Sequence, residues 1–588
     1  MPIIRRFIPE LLICLTLSLI VFLVFGSSLK WDFVRWDDDI NIYRNPLIRN
    51  LDWAHVRWMF TDYRYLPRYT PLGWLGWAVI YRLFGLNPFG YHLSTVILHV
   101  SNTVLVFWLI RQLLTIAAGP ESPLDSRVVA TSAGLAALLW GVHPLRVESV
   151  AWASGQTHSQ ALFFLLISLL SYLSAIRTRQ GPATRTIPYW VSVASFVASL
   201  LSYPSALGFI AVLVVLDFYP LHRFSNSTNW WWDDQAREIW REKIPFLMAT
   251  VAVLSITIWA RVHATGLYRP PVSINAFPLS SRSMQAFYLW AYYVWRPFRP
   301  FNLSPVYTAL VKFDPTEARF FFSMVFVVGV TLLAVMLRRR YPAFLAVWVC
   351  HLTLLVPLLA VTERPYYPND RYSYFVGTCW AALIGGGFSL LGKKSMKRPI
   401  IVGVSMLTGV GLVLFSWLSY RQTLIWKDSA TLFGYVIGKL GDDPYRSDIY
   451  SRLASFYLER GETDKALACL NASLNADPQY FRSRLLRGEI LFNKSMPNEA
   501  AHDFREALRL KESPLLHYYM GLTLTRLGQN EEAIGHLFRA LQLDPKDESS
   551  SRLLAELVRR QGSDQRSINS SKKKSVPAFD EIPGRLQP

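Results

Sequence analysis

Hydrophobic and polar positions along the chain fall into two regimes. Up to about residue 420, long apolar runs alternate with short polar segments. A helix needs about 20 mainly apolar residues to cross a bilayer. Eleven stretches approach that length: 9–29, 89–111, 128–142, 148–176, 187–203, 204–220, 244–262, 318–337, 342–361, 373–392 and 399–419. Two of them, 128–142 and 204–220, are short. Beyond 420 the pattern becomes periodic. Ala454, Gly488 and Gly521 recur at intervals of 34 and 33 residues, and Ala466, Ala500 and Ala533 follow at one common offset. Leu470, Phe504 and Leu537 follow at another. Asp477-Pro478 and Asp544-Pro545 close the first and third units, whereas the middle unit has Glu512 with Pro514 two residues later. A period near 34, with small residues where paired helices touch and proline at the close, is the tetratricopeptide (TPR) pattern.

The expected fold is all-α, a polytopic membrane helix bundle of about eleven spans followed by a TPR α-solenoid. The membrane domain is expected over 1–420, with a first outer loop at 30–88 and an outer segment at 263–317. A connector over 421–445 leads to 446–560, which holds repeats at 447–480, 481–513 and 514–547 and a cap helix from Ser550 to Arg560. The polar tail 561–588 is expected to be disordered.

Composition supports the membrane reading. The chain is 52% hydrophobic and 14% aromatic, beyond the usual range for one soluble domain. Its formal charge of +20 sits largely between apolar runs, where it acts as a topology signal. No basic stripe interleaved with stacking aromatics stands out, so nucleic acid is not an expected partner. The four cysteines show neither metal-ligand spacing nor a disulfide framework. Arg5 and Arg6 precede an apolar run without a small-x-small cleavage site, which reads as a retained first span.

With the N-terminus in the cytoplasm, the inner loops collect Arg177, Arg179 and Arg185, Arg237, Arg241 and Lys243, and the triplet 338–340. This is a positive-inside distribution. Residues 284–300 are kept as an outer-face or re-entrant helix, because a span there would move Arg338 to Arg340 outside. The outer face then holds Asp37-Asp38-Asp39, the turn 143–148, the turn Ser202-Tyr203-Pro204, segment 263–317 and loop 362–372. The repeats follow on that side.

Dispersed motifs carry a family resemblance. They are Trp36-Asp37-Asp38 with Asn45-Pro46, Pro71-Leu72, and Phe84 to Pro88 leading to His92 and His99. HPLRVESVAW (143–152), LDFYPL (216–221), EKIPF (242–246), NLSPVY (302–307) and DRYSY (370–374) follow. Trp426 with Leu432-Phe433 precedes the repeats. In this order the chain resembles the transmembrane-and-TPR O-mannosyltransferase (TMTC-like) family of the GT-C glycosyltransferase class, including its bacterial members. The resemblance implies transfer of a sugar, mannose in eukaryotic members, from a polyprenyl or dolichyl phosphate. Transfer would proceed with inversion, to an acceptor such as protein Ser/Thr at the outer face. The lipid-linked donor, membrane lipids and a protein acceptor recruited by the repeats are the expected partners. The implied location is a bacterial inner membrane, or the ER membrane in a eukaryote, with the repeats in periplasm or lumen. No cofactor is firmly implied, no metal ligands are assigned, and a divalent cation stays open.

The chain departs from the pattern at three places. Gly155-Gln156-Thr157-His158 stands where bacterial members carry Glu-Arg-Lys-Asp, Tyr203 where a lysine is usual, and Thr95 where an asparagine is common.

Asp37 and Asp38 lie just beyond the first span among Trp31, Phe33 and Trp36. Transfer to a hydroxyl needs a group to accept the proton, and a carboxylate can do so. Asp37 is read as the base and Asp38 as its helper, against a solvated acidic cap or a cation site. Arg371 is read as the donor-phosphate cation, with Arg364 and Arg68 as further candidates, because arginine grips phosphate in fork geometry. The alternative is a surface pair of Asp370 with Arg371. His143, Arg146, Glu148, His92, Asp370 and Tyr372 are candidates for lining the donor or acceptor pocket, with capping, ion pairing and core packing as the plain alternatives. Three functions compete: the transferase, a membrane-anchored TPR scaffold with an inactive GT-C half, and a transporter. The last ranks lowest because the acids and arginines sit at helix ends rather than at mid-membrane.

Overall fold

The computed structural model describes residues 2–574 except 64, 66–68, 120–123, 178–185, 225–230, 264–272, 274, 276, 311–312, 360–367 and 393–395. The described elements are helices, without strands among them. The chain divides into two compact units, Met1–Leu432 and Phe433–Pro588.

The first unit is built around the 31-residue helix Pro88–Ala118. Asn87 starts it by accepting from Phe89 N at 3.1 Å, with proline in the first turn, where a missing N–H costs nothing. Helices Pro2–Phe25, Ser126–Gly141, Gln156–Arg177 and Ser373–Leu391 pack around it. Several of its polar side chains face inward and are bonded. His99 bridges Tyr374 Oη and the Gly141 carbonyl, both at 2.8 Å, and Asn102 donates to the Ser159 carbonyl at 2.9 Å. Such bonding is what buried polar groups require in an apolar surround.

Among the described residues, seven helices are long and apolar enough to cross a membrane, or eight if the bent pair Ser126–Gly141 and Pro144–Ala151 counts as one span. The chain is a multi-pass membrane protein. The expected figure of eleven also took in the apolar helices Ile187–Ser202, Pro204–Phe218 and Pro342–Leu358, which are shorter. Hydropathy marks them as apolar, but at about 1.5 Å per residue they fall short of a bilayer's hydrocarbon thickness. Residues 284–300 fall mostly in the 17-residue helix Leu279–Trp295, which is not among the apolar spans.

The second unit holds three helix pairs: Arg446–Glu459 with Thr463–Ala476, Phe481–Asn493 with Pro497–Leu510, and Pro514–Arg526 with Asn530–Leu543. The small residues read from the period are where the helices meet. A Cβ at Gly488 would press on the Phe504 ring, and one at Gly521 on Leu537. The irregular middle junction works because Ser513 caps the next helix, accepting from Leu516 N at 3.2 Å with Pro514 at its start. The closing helix runs Glu548–Lys574, past the expected stop at Arg560. Its polar residues are compatible with a helix, and no proline interrupts before Pro577.

Candidate active site

The first loop bends sharply at the aspartates. Asp37 has φ +71°, a left-handed conformation that only glycine adopts freely and that Asp and Asn tolerate best. A single π-turn, Asp39–Tyr43, follows at once, a feature often found at functional sites. Asp38 turns inward and is fully buried. Its carboxylate accepts from Val34 N at 2.9 Å, Ser154 N at 2.9 Å and Ser154 Oγ at 2.6 Å. The loop is thereby pinned to the segment that follows HPLRVESVAW. Asp39 pairs with Arg35 at 3.3 Å. The Asp37 carboxylate is half-exposed and receives no hydrogen bond among the described residues. The three acids thus divide into an anchor, a largely buried paired acid and one presented group.

Burial pushes the Asp38 carboxyl up to about 7, outweighing the bonds from Ser154 and Val34, and the Asp37 charge acts with burial. A carboxyl whose folded pKa is raised stabilises the fold below its unfolded pKa. That stability is lost as pH rises from about 4 through about 7. The thermal transition of the full chain should therefore fall between pH 5 and 8, at no more than about 1.4 kcal/mol per pH unit from this group. Asp38→Asn should flatten the profile. Equal slopes in both proteins would exclude Asp38 as the titrating group.

Next to this anchor the DRYSY and HPLRVESVAW turns meet. The Glu148 carboxylate pairs with the Arg371 guanidinium and accepts from Arg371 N at 2.9 Å. The Arg371 cation lies 5.3 Å from the Trp152 ring, on which Trp426 stacks at 6.0 Å. Asp370 turns the other way. Tyr307 Oη donates to it at 2.8 Å, and Arg296 stands 3.9 Å away. NLSPVY and DRYSY are thus joined by a tyrosine–aspartate bond. Tyr372 is buried, its ring 6.3 Å from that of His158.

Other candidates are placed differently. His143 caps its turn. Its Nδ1 accepts from Leu145 N at 3.2 Å, which leaves Nε2 to donate to the Pro297 carbonyl at 3.1 Å. His92 Nε2 lies 3.4 Å from the Asp32 carbonyl. Arg146 is buried with no acidic partner among the described residues. It donates to Ser373 Oγ at 3.3 Å and faces the Trp140 and Tyr374 rings at 5.2 and 5.8 Å. Arg68 and Arg364 lie outside the described residues. Among the described residues no group of three His, Cys, Asp or Glu side chains could hold a metal ion.

Sequence reasoning missed Ser154, Trp152, Tyr307 and Arg296 as parts of this site. The only signal was their place inside or beside the motifs. It also missed that LDFYPL and EKIPF form one buried ionic cluster. Arg223 bonds Asp217 at 3.0 Å and Glu242 at 2.6 Å, Lys243 pairs with Asp217 at 2.5 Å, and Tyr172 Oη donates to Asp217 at 2.8 Å.

Two of the departures from the family pattern meet in space. The His158 and Tyr203 rings lie 4.0 Å apart, tilted by 35°, at the positions where the pattern has an aspartate and a lysine. A ring contact stands here between two side chains that carry no such opposite charges. His158→Asp and Tyr203→Lys should each destabilise by burying a lone charge. The double variant should recover part of the loss, with a coupling of about 0.5–3 kcal/mol by thermal unfolding. Strict additivity would show that the two positions are independent.

Comparison with known proteins agrees with the two-part reading. A tetratricopeptide-repeat family model matches residues 447–480. Human "Protein O-mannosyl-transferase TMTC1" is 24% identical over 516 residues, covering 78% of this chain and 54% of that protein. Human "Protein O-mannosyl-transferase TMTC2" is 26% identical over 301 residues, covering 47% of this chain and 33% of that protein. The chain therefore spans about half, or less, of the length of these relatives. Among solved structures, the first TPR of Spaghetti (RPAP3) bound to an HSP90 peptide is 21% identical. It covers 20% of this chain and 98% of that one, with a TM-score of 0.20. In its ordered motifs, its apolar helices and its closing repeats, the chain is similar to the TMTC proteins, at 24–26% identity to the two human relatives.

Proposed function

We propose that the chain is a membrane glycosyltransferase. It moves a sugar, mannose by analogy with its relatives' names, from a polyprenyl or dolichyl phosphate to a protein Ser/Thr hydroxyl. The observation that carries this reading is the presented Asp37 carboxylate beside the buried anchor Asp38. As the acceptor oxygen bonds to the anomeric carbon, the carbon–oxygen bond to the lipid phosphate breaks and the hydroxyl proton passes to Asp37. One displacement inverts the sugar. Lipid phosphate leaves without a general acid. Asp38, held by Ser154, is a positioning residue. Arg371, fixed by Glu148, supplies the cation for the donor phosphate, and Arg146 adds positive potential at the same corner. The threading adopted from the loop arginines keeps the N-terminus cytoplasmic and the repeats on the outer side, in a bacterial inner membrane or an ER membrane. There the repeats recruit the acceptor. The test supplies radiolabelled polyprenyl-phosphate mannose and a host extract to membranes holding the full chain. Label entering protein above empty membranes supports the transferase, and no label overturns it for this donor.

A second reading, a scaffold with an inactive membrane half, is favoured by the His158–Tyr203 stack, which removes two charges of the family pattern. It predicts that the repeats capture partners while no sugar donor yields product.

A further inference from the structure

A groove of about 880 Å³ runs along the short apolar helices Phe209–Phe218 and Pro342–Leu355, with none of Asp37, Asp38 and Asp39 in its lining. Its volume lies in the range of small-molecule sites, and its lining is mainly apolar. One end closes where Gly208 lies against Thr353, since a Cβ at 208 would overlap the Thr353 carbonyl. The other end is bordered by His222 and Arg338, both exposed. Arg338 donates to the Val335 carbonyl at 2.9 Å and has no acidic partner among the described residues. Arg339 and Arg340 follow it in sequence.

The dimensions suit a single lipid chain. The Pro342–Leu355 helix has 14 residues, about 21 Å at 1.5 Å per residue. One leaflet of a hydrocarbon core about 30 Å thick is about 15 Å deep. Both walls are too short to cross the whole bilayer, so an empty groove between them would leave apolar surface unfilled. The basic mouth sets the headgroup. A phosphodiester finds a guanidinium with no acidic partner among the described residues and two more arginines next in sequence.

We infer that this groove is a binding site for an anionic phospholipid of the leaflet on the arginine side, with one acyl chain between the two helices and the phosphate at Arg338. The site lies at the end of the bundle bearing the arginine loop and does not depend on transfer activity.

The test uses the full chain in nanodiscs doped with phosphatidylglycerol or phosphatidylcholine, each carrying a photoactivatable group on one acyl chain. Phosphatidylglycerol should label peptides from 204–222 and 338–358 about tenfold more than phosphatidylcholine. Arg338→Gln, an exposed change that leaves the core intact, should bring the two probes within about twofold while labelling persists. Ala346→Trp, which fills the groove, should abolish labelling by both. Equal labelling of the wild type by the two probes overturns the inference, as does an unchanged preference in Arg338→Gln. Displacement of the phosphatidylglycerol probe by equimolar polyprenyl phosphate also overturns it and assigns the groove to the donor chain. If Ala346→Trp fails to fold, the Arg338→Gln comparison decides alone.

Discussion

Asp37→Asn is expected to leave a folded, membrane-inserted protein whose sugar transfer falls by about 10²–10⁴-fold, the usual contribution of a general base. The substitution isolates the chemistry because asparagine, like aspartate, tolerates the left-handed backbone at φ +71°. It keeps the size and polarity of the side chain and removes only the capacity to take a proton. Alanine at 37 would add backbone strain and confuse the two effects. The Asp38 anchor, with its three bonds to Val34 and Ser154, is untouched in Asp37→Asn, so the loop stays in place. Transfer within about threefold of wild type would remove Asp37 from the mechanism. Asp38, already bonded in three directions, could then serve only by leaving its anchor.

The largest loss of stability is expected from Arg223→Met. Arg223 is almost fully buried and bonds both Asp217 and Glu242. Without it the two carboxylates share a single cation, Lys243. Breaking a buried ion cluster on one side costs about 3–5 kcal/mol, because the remaining charge stays desolvated. Thermal unfolding of the purified full chain should show that loss. Arg223→Met with Glu242→Leu should recover much of it, since replacing both partners removes the orphaned charge. A single variant as stable as wild type would mean that water reaches the cluster.

The parts of this molecule that sequence makes legible are those governed by period. The interval from Ala454 to Gly488 to Gly521 gave the repeat and even the residues on which its helices close, because close packing leaves a periodic trace. The long apolar helices were legible from the length of their apolar runs. Helix length was less so. Hydropathy alone does not separate Phe209–Phe218 from a full span, since a broken helix and a continuous one share a composition. The site was legible as a set of motifs but not as a set of contacts. Asp37 and Asp38 are neighbours of one residue type, and only the fold separates a presented acid from an anchor. The partner that makes this difference, Ser154, lies 116 residues away and carries no chemical mark of its own. The pairing of Glu148 with Arg371 likewise joins two turns far apart in the chain. His158 and Tyr203 read as separate losses in sequence, while in space they form one contact.

The buried Arg146 has a consequence for how this sequence can vary. Its guanidinium occupies the notch left by Gly377, where any Cβ would overlap it. Residue 377 is therefore not free to drift while the arginine stays. A lineage that places alanine or serine at 377 requires the end of the Arg146 side chain to shift or shorten. The two positions should thus be coupled across descendants, through volume rather than through charge.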